Sequence, residues 1–362
     1  MSSPVYLAGA GVAKLEADST LPAKFKRLLA RFPLAEMAAD QVVAVKMHLG
    51  GNLGYTTIHP FFVRLLVAAL REAGGRPFIT DIAWTVPTAK ERGYTEEVTG
   101  APVYAATGLK DRYHYPHAVS YKTLSEVQVA GYIEDADVLI NLSHVKGHGA
   151  CGYGGACKNL AMGCVTGKTR ADLHALEGGL RWEADKCTHC KMCIDACRYG
   201  ANRFTDEDEY RIFYHHCVYC QHCANACPQK AITLSAESFL VFQEGMALAT
   251  RTVLDTFAPD KVLHINFLTE ITMFCDCWGF STPSLVPDIG IAASTDLVAL
   301  EQACLDLIKN EDFIPGSLPK DRRLVEGGHL LERIHAKDPF VQVKALERHG
   351  VGSRAYELVE VE

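Results

Sequence analysis

The chain has 362 residues, 48% of them hydrophobic and 22% charged, a globular composition with enough length for one large core or two smaller ones. A formal net charge of −7, from 36 basic and 43 acidic residues, with no long basic run, excludes the electrostatic footprint of a nucleic-acid or anionic-membrane binder. Apolar residues nowhere run together for the roughly 18 positions that a spanning helix needs.

The opening, MSSPVYLAGAGVAKLEADST, has no cationic stretch before its short apolar run, so a cytoplasmic protein is expected. The Gly9-Ala10-Gly11 triplet lacks the third glycine of a dinucleotide fingerprint and is set aside. Residues 42–49, VVAVKMHL, read as a strand, residues 61–73 carry apolar side chains at helical spacing, and residues 76–82, RPFITDI, read as a second strand. Gly74 and Gly75 stop the helix. A strand, helix, strand unit is the building block of a parallel sheet. His48, with Lys46 two positions earlier, then stands at the carboxyl end of a strand, where open α/β sheets bind ligands, although a core histidine is the plainer alternative.

A further strand at residues 138–141 leads into NLSHVKGHGACGYGGACKNLAMGC, residues 141–164. Its glycines, including Gly154 and Gly155, allow close backbone approach to a ligand. Imidazoles (His144, His148), amines (Lys146, Lys158) and thiols (Cys151, Cys157, Cys164) accompany them. Each has a plainer reading: Lys158 as a solvated lysine, the histidines as donors to backbone carbonyls, and Cys151 and Cys157 as small buried hydrophobes.

Next comes a segment that fits neither the helical nor the strand period. Cys187, Cys190, Cys193 and Cys197 form CxxCxxCxxxC, and Cys217, Cys220, Cys223 and Cys227 repeat it 30 residues on, with Pro228 after the second run. Cysteines at these spacings are metal ligands rather than disulfides in a reducing compartment. Three thiolates of each run wrap one iron-sulfur cubane while the fourth reaches the neighbouring cluster. This places Cys187, Cys190, Cys193 and Cys227 on one 4Fe-4S cluster and Cys217, Cys220, Cys223 and Cys197 on the other. Tetrahedral zinc is the competing reading of such thiolates. Arg198 stands after Cys197, where the pattern usually has proline, and would expose the second cluster or raise its potential. The acidic run 206–209 reads as a solvated turn.

Beyond the cysteines, residues 239–257 are amphipathic, residues 262–268 (VLHINFL) read as a strand, and residues 297–308 as a helix. In an extended Cys275-Asp276-Cys277 both thiols would face one side and reach a common metal or cofactor, completed by Asp288 or by a thiol of the glycine-rich segment; packing is the alternative. Prolines 315, 319 and 339 mark the last fifty residues as a surface-wrapping tail with short elements. The expected architecture is α/β: a body with a mainly parallel sheet built from residues 1–180 and 236–310, a ferredoxin-like insert at 181–235, and a tail from 311 to 362 packing on the body.

Three stretches, VKMHLGGNLGYTTIHPFFVRLL, NLSHVKGHGACGYGGACKNLAMGC and FCDCWGFSTPSLVPDIGIAASTDLVALEQA, together with the cysteine runs, resemble the DUF362 family of bacterial and archaeal iron-sulfur proteins over nearly the whole chain. The resemblance implies a 4Fe-4S protein with an α/β body. His148, Lys158 and His174 also resemble part of the catalytic motif of nickel-pincer lactate racemases. That second likeness implies Lys158 at a cofactor, with His174 and His148 as metal ligands or an acid/base pair.

The leading expectation is an oxidoreductase. Two clusters pass electrons between an external ferredoxin- or flavodoxin-type carrier and a small-molecule substrate, organic cofactor or additional metal in the body, in a monomer or a homodimer. A non-catalytic electron carrier or maturation partner, and a racemase- or isomerase-like metalloenzyme with structural clusters, are the alternatives.

Overall fold

A computed structural model describes residues 2–362, except 52, 178, 198, 215, 218–220, 235, 236 and 321. In chain order its principal strands are β1 (Ser3–Gly9), β2 (Val42–Lys46), β3 (Arg76–Asp81), β4 (Val103–Ala105), the hairpin β5 (His114–Tyr121) and β6 (Leu124–Ala130), β7 (Val138–His144), and the short pair β8 (Lys146–His148) and β9 (Gly152–Gly154). The cysteine-rich segment holds β10 (Leu180–Trp182), β11 (Asn202–Phe204), β12 (Tyr210–Ile212) and β13 (Ile232–Leu234). β14 (Val262–Leu268), β15 (Gly290–Ser294) and β16 (Tyr356–Glu360) follow. The helices used below are α1 (Leu21–Leu29), α2 (Pro60–Glu72), α3 (Ala156–Gly163), α4 (Gly167–His174), α5 (Glu237–Leu254), α6 (Leu297–Leu307), α7 (Leu330–His335) and α8 (Phe340–Arg348).

The expected α/β fold with a mainly parallel sheet is what the structure has. Eight strands pair in the order β16-β1-β15-β14-β7-β2-β3-β4, and only β15 runs against its neighbours. Period-two alternation divides the core between the faces. Val43, Val45, Val138, Ile140 and Leu142 face α1 and α2, while Ala44 and Leu139 face the layer containing α3, α5, α6 and α8.

From β2 the chain steps outward through β3 to β4, then returns to the other side of β2 with β7. The strand order therefore reverses between β2 and β7, paired from Val43↔Val138 to Lys46↔Asn141. A crevice opens at the carboxyl ends of strands on either side of such a reversal. Both arms of the body, before and after the cysteines, enter this one sheet. The segment between them starts and ends side by side, because β10 pairs antiparallel with β13, and it has a small core of its own that includes Ala201, Tyr210, Ile212 and Ile232.

Several local expectations are corrected. The strand beginning at Val42 stops at Lys46, so His48 lies in the following irregular segment. Cys275 and Cys277 are not on a strand: Asp276–Trp278 is a 3-10 turn. The final segment does more than wrap the surface, since β16 pairs in parallel with β1 as the edge of the main sheet and α8 packs along α5.

Candidate functional site

A cavity of about 420 Å3 occupies the crevice between β2 and β7. Its walls come from the carboxyl ends of β2, β3 and β7, from the glycine-rich turn and α3, from α4, and from the 3-10 turn after β14. Lys46, Lys146, Lys158 and Arg170 line it against two carboxylates, Asp81 and Asp276. The cationic excess suits a small anion.

On the β2 side, Lys46 Nζ lies 3.0 Å from Asp81 Oδ1 with both side chains 1% exposed, and it donates to Asn159 Oδ1 at 2.7 Å. The other oxygen of Asp81 accepts from Leu49 N (2.9 Å) and Thr85 Oγ1 (2.8 Å). Burial opposes the Asp81 charge, yet Lys46 and these donors hold the carboxyl below its usual range. Asn159 clamps α3 to the sheet by donating to the carbonyls of Lys46 (3.0 Å) and Leu142 (3.2 Å) and to Asn141 Oδ1 (2.8 Å). His48 Nδ1 accepts from Gly50 N at 2.8 Å and lies 3.6 Å from Asp81; burial lowers its pKa despite that carboxylate.

A second paired lysine stands on the β7 side. Lys146 Nζ donates to the Thr56 carbonyl (3.0 Å), Thr56 Oγ1 (3.1 Å) and the Glu270 carbonyl (2.6 Å), and lies 3.6 Å from Asp276 Oδ1. His144 bridges Asp276 Oδ2 (3.0 Å) and the Thr269 carbonyl (2.7 Å). Although burial works against the Asp276 charge, Lys146 and His144 hold its carboxyl well below the usual range.

Lys158 differs from both. It projects from the first turn of α3 and, among the described residues, its ammonium has neither a hydrogen-bond acceptor nor an ion-pair partner. Burial lowers its pKa. The start of α3 is anchored by the buried Glu301, whose Oε1 accepts from Ala156 N (2.7 Å), Tyr153 OH (3.0 Å) and Asn266 Nδ2 (3.0 Å). Gly155 is needed here, because a Cβ would lie 2.3 Å from the Tyr153 hydroxyl and 2.5 Å from Glu301 Oε1. At Gly154 an added Cβ would touch Lys158 Cδ (3.5 Å), His148 Cβ (3.9 Å) and Cys275 Cβ (4.0 Å), so these three side chains share one corner of the cavity.

In that corner Cys275 and Cys277, with Cα atoms 5.4 Å apart across the 3-10 turn, are joined through their sulfurs. A ring nitrogen of His148 and the two sulfurs lie within 4.8 Å of one another. His148 Nδ1 is 3.2 Å from Cys151 Sγ, which in turn lies 3.1 Å from the Tyr153 carbonyl. Asp288, expected to complete a site with these cysteines, instead accepts from Glu270 N at 2.7 Å outside the cavity. Cys151, Cys157 and Cys164 are fully buried; burial pushes the thiols of Cys151 and Cys164 up to about 12 and that of Cys157 higher still, so all three stay protonated. His174 lines the cavity from the end of α4, exposed, stacked on Phe242 and paired with Glu177.

The cysteine runs surround two further hollows. One is lined by Cys187, Cys190, Cys193 and Cys227, the other by Cys197, Cys217 and Cys223; Cys220 and Arg198 lie outside the described residues. The thirty-residue repeat is geometric as well. Cys197 Sγ accepts from Ala201 N at 3.2 Å and Cys227 Sγ from Ala231 N at 3.3 Å, and Lys191 and Gln221 have φ of 61° and 63° before matching short helices. Amides turned inward by such left-handed residues form nests suited to an anionic core.

The second run abuts the cavity wall. His216 stacks on Trp278 (centroids 5.5 Å apart, planes 8° apart) and Phe213 meets the same ring at 5.4 Å. Trp278 contacts Phe274 at 4.5 Å, and these two rings bracket the Cys275-Asp276-Cys277 turn. Asp81, Arg170, Asn159 and this aromatic set were missed from sequence. The available signal for Asp81 was its place at the carboxyl end of a strand; no local pattern marked the others.

The fold and cavity define an α/β protein with a ligand-sized crevice at the reversal of its sheet and a cysteine-rich segment docked beside it. Residues 43–306 match the family described as a domain of unknown function, DUF362, and the chain belongs to that family.

Shorter stretches of the chain are similar to other proteins. The archaeal-type glutamate synthase (NADPH) of Thermotoga maritima is 41% identical over 56 residues, 15% of this chain and 11% of that protein. The pyruvate synthase subunit PorD of Methanocaldococcus jannaschii is 37% identical over 49 residues, 14% of this chain and 57% of that one. A 4-hydroxyphenylacetate decarboxylase activating enzyme of Clostridium scatologenes is 25% identical over 134 residues, covering 34% and 40%. The matched part of the chain thus spans about a ninth of the synthase's length. The lactate racemase apoprotein of Thermoanaerobacterium thermosaccharolyticum overlaps 74% of this chain and 51% of its own at 12% identity, with a TM-score of 0.36, too loose a likeness to carry an argument. No helix among the described residues is long and apolar enough to cross a membrane.

Proposed function

We propose that the protein is an iron-sulfur oxidoreductase in which two 4Fe-4S clusters, held by the eight cysteines of the two runs, connect an external ferredoxin- or flavodoxin-type carrier to a small anionic substrate or cofactor in the crevice. The donor set fits the group. The crossed pattern of bacterial ferredoxins is supported by Cys227 lining one hollow with Cys187, Cys190 and Cys193, and by Cys197 lining the other with Cys217 and Cys223. When bound, the clusters supply one-electron transfer.

The observation that carries the reading is the aromatic contact of Phe213 and His216 with Trp278 and Phe274. It forms a contiguous packed path from the residue preceding Cys217 to the cavity wall. At the other end Lys158 offers an unpaired ammonium to an anionic group, and Arg170, itself 3.8 Å from Asp111, lines the same cavity. The Lys46–Asp81 and Lys146–Asp276 pairs hold the walls in place.

Anaerobic purification followed by iron and sulfide analysis is the direct test. The expected result is about eight irons and eight inorganic sulfides per chain, with paramagnetic signals of reduced 4Fe-4S centres after dithionite. Zinc in the runs, or no inorganic sulfide, would overturn the reading.

A further inference from the structure

The cavity corner containing Cys275, Cys277 and His148 has no assigned role in the electron path. Its three donors come from separate parts of the chain, the turn after β14 and the end of β8, and only the tertiary structure brings them together. Two sulfurs and a ring nitrogen within 4.8 Å of one another are close enough to ligate a single ion. The neighbouring carboxylate, Asp276, turns away to Lys146 and His144, so it neither competes for a cation nor adds charge to the corner.

We propose that Cys275, Cys277 and His148 bind one divalent first-row transition-metal ion, with a coordination position left open to the crevice.

Two thiolates and an imidazole are the donors of a borderline-soft ion. Three protein ligands facing a cavity is the arrangement of catalytic rather than closed structural sites. Two thiolates balance the charge of a divalent ion, so the ion with its two thiolates carries no net charge into the buried site. His148 Nδ1 accepts from Ala150 N at 3.2 Å and lies 3.2 Å from Cys151 Sγ, and these two contacts orient the ring. A pair serving only disulfide exchange needs its two sulfurs and access; it gives no reason for an imidazole to converge on both.

Loading starts from the joined pair. Its disulfide and two thiols of a reductant exchange to give Cys275 and Cys277 as thiols plus the oxidised reductant, and the ion then displaces two protons as both sulfurs bind as thiolates. The site lies outside the 187–227 segment and stands whether or not the cluster assignment does.

The test uses the full chain, purified without oxygen in a thiol reductant, equilibrated with zinc sulfate and desalted. Zinc, iron and sulfide are then measured on the same sample. The wild type is expected to retain about one zinc per chain, with X-ray absorption giving two sulfur neighbours near ~2.3 Å and nitrogen near ~2.0 Å. Cys275→Ser and Cys277→Ser, close in size to the native residues, should each lower retained zinc at least about tenfold with iron and sulfide unchanged, and His148→Ala should weaken binding without abolishing it. Wild-type protein that retains no zinc, or variants that retain as much as wild type, would end the proposal. Zinc surrounded by four sulfurs in a chain lacking iron would instead sink the cluster assignment, and a two-sulfur, one-nitrogen zinc in that chain would leave this site standing.

Discussion

Two corners of one crevice hold a lysine, a histidine and a cysteine-flanked turn, and they behave oppositely. At Lys146 every donor is used: three acceptors surround Nζ, and Asp276 and His144 close the network. At Lys158, which lines the same cavity, no acceptor or ion pair is present among the described residues. Buried polar groups that serve only structure are satisfied, because an unpaired one costs stability. The saturated corner is therefore scaffold, and the open corner is where a ligand can complete what the protein leaves unmade.

The contrast can be broken most sharply at Asp276. Replacing it by leucine strands the Lys146 ammonium in a dry site and should cost about 3–5 kcal/mol, read as a lower urea midpoint at unchanged slope. A loss under about 1 kcal/mol would mean that the pair is not the scaffold described.

Acid probes the same scaffold. Asp276 and Asp81 are held below their unfolded values, so their stabilisation is fully present above the unfolded carboxylate value of about 3.9 and is lost as pH falls through the folded values. Urea midpoints should be flat with respect to these two groups near neutrality and fall below about pH 4, on the order of a few kcal/mol. In Asp276→Leu part of that acid loss should disappear.

At Gly155 the prediction is steric. Alanine there meets Tyr153 and Glu301, and the overpacking should cost about 1–3 kcal/mol while moving the first turn of α3. The same denaturation series measures it; a neutral outcome would show that α3 is not pinned where Lys158 needs it.

Smallest should be the effect of Lys158→Met on the fold, within about 1 kcal/mol of wild type. Its sign follows from the lowered pKa. The folded state releases the proton more readily than the unfolded chain, so the protonated form of Lys158 is destabilising and wild-type stability rises as pH climbs toward the unfolded value of about 10.4. The methionine variant should lose that rise. A penalty as large as that of Asp276→Leu would erase the distinction between the two corners.

Legibility in the sequence followed the same division. β2, β3, β7 and β14 were readable because strands buried on both faces are continuous apolar runs. β1 and β16 sit at or near the sheet edge, and β15 (GIAAS) is made mostly of small residues, so none of them stood out. His148, Lys158 and Lys146 were flagged by the glycines around them, but nothing local separated the paired lysine from the unpaired one. Extended geometry suggested that Cys275 and Cys277 share a side; a 3-10 turn brings their sulfurs together, and the side chain that converges on them is His148, while Asp288 accepts from Glu270 N.

The sequence by itself determined the α/β class, the doubled cysteine pattern and the residue types available for chemistry, since period and ligand spacing are properties of neighbours along the chain. Tertiary structure alone decided that Asp81 would neutralise Lys46, that Asp276 would turn toward Lys146, and that Lys158 would be left without a partner. Those outcomes depend on contacts between residues up to 130 positions apart (Lys146 and Asp276), and at such separations the order of the strands, rather than local preference, chooses the partners.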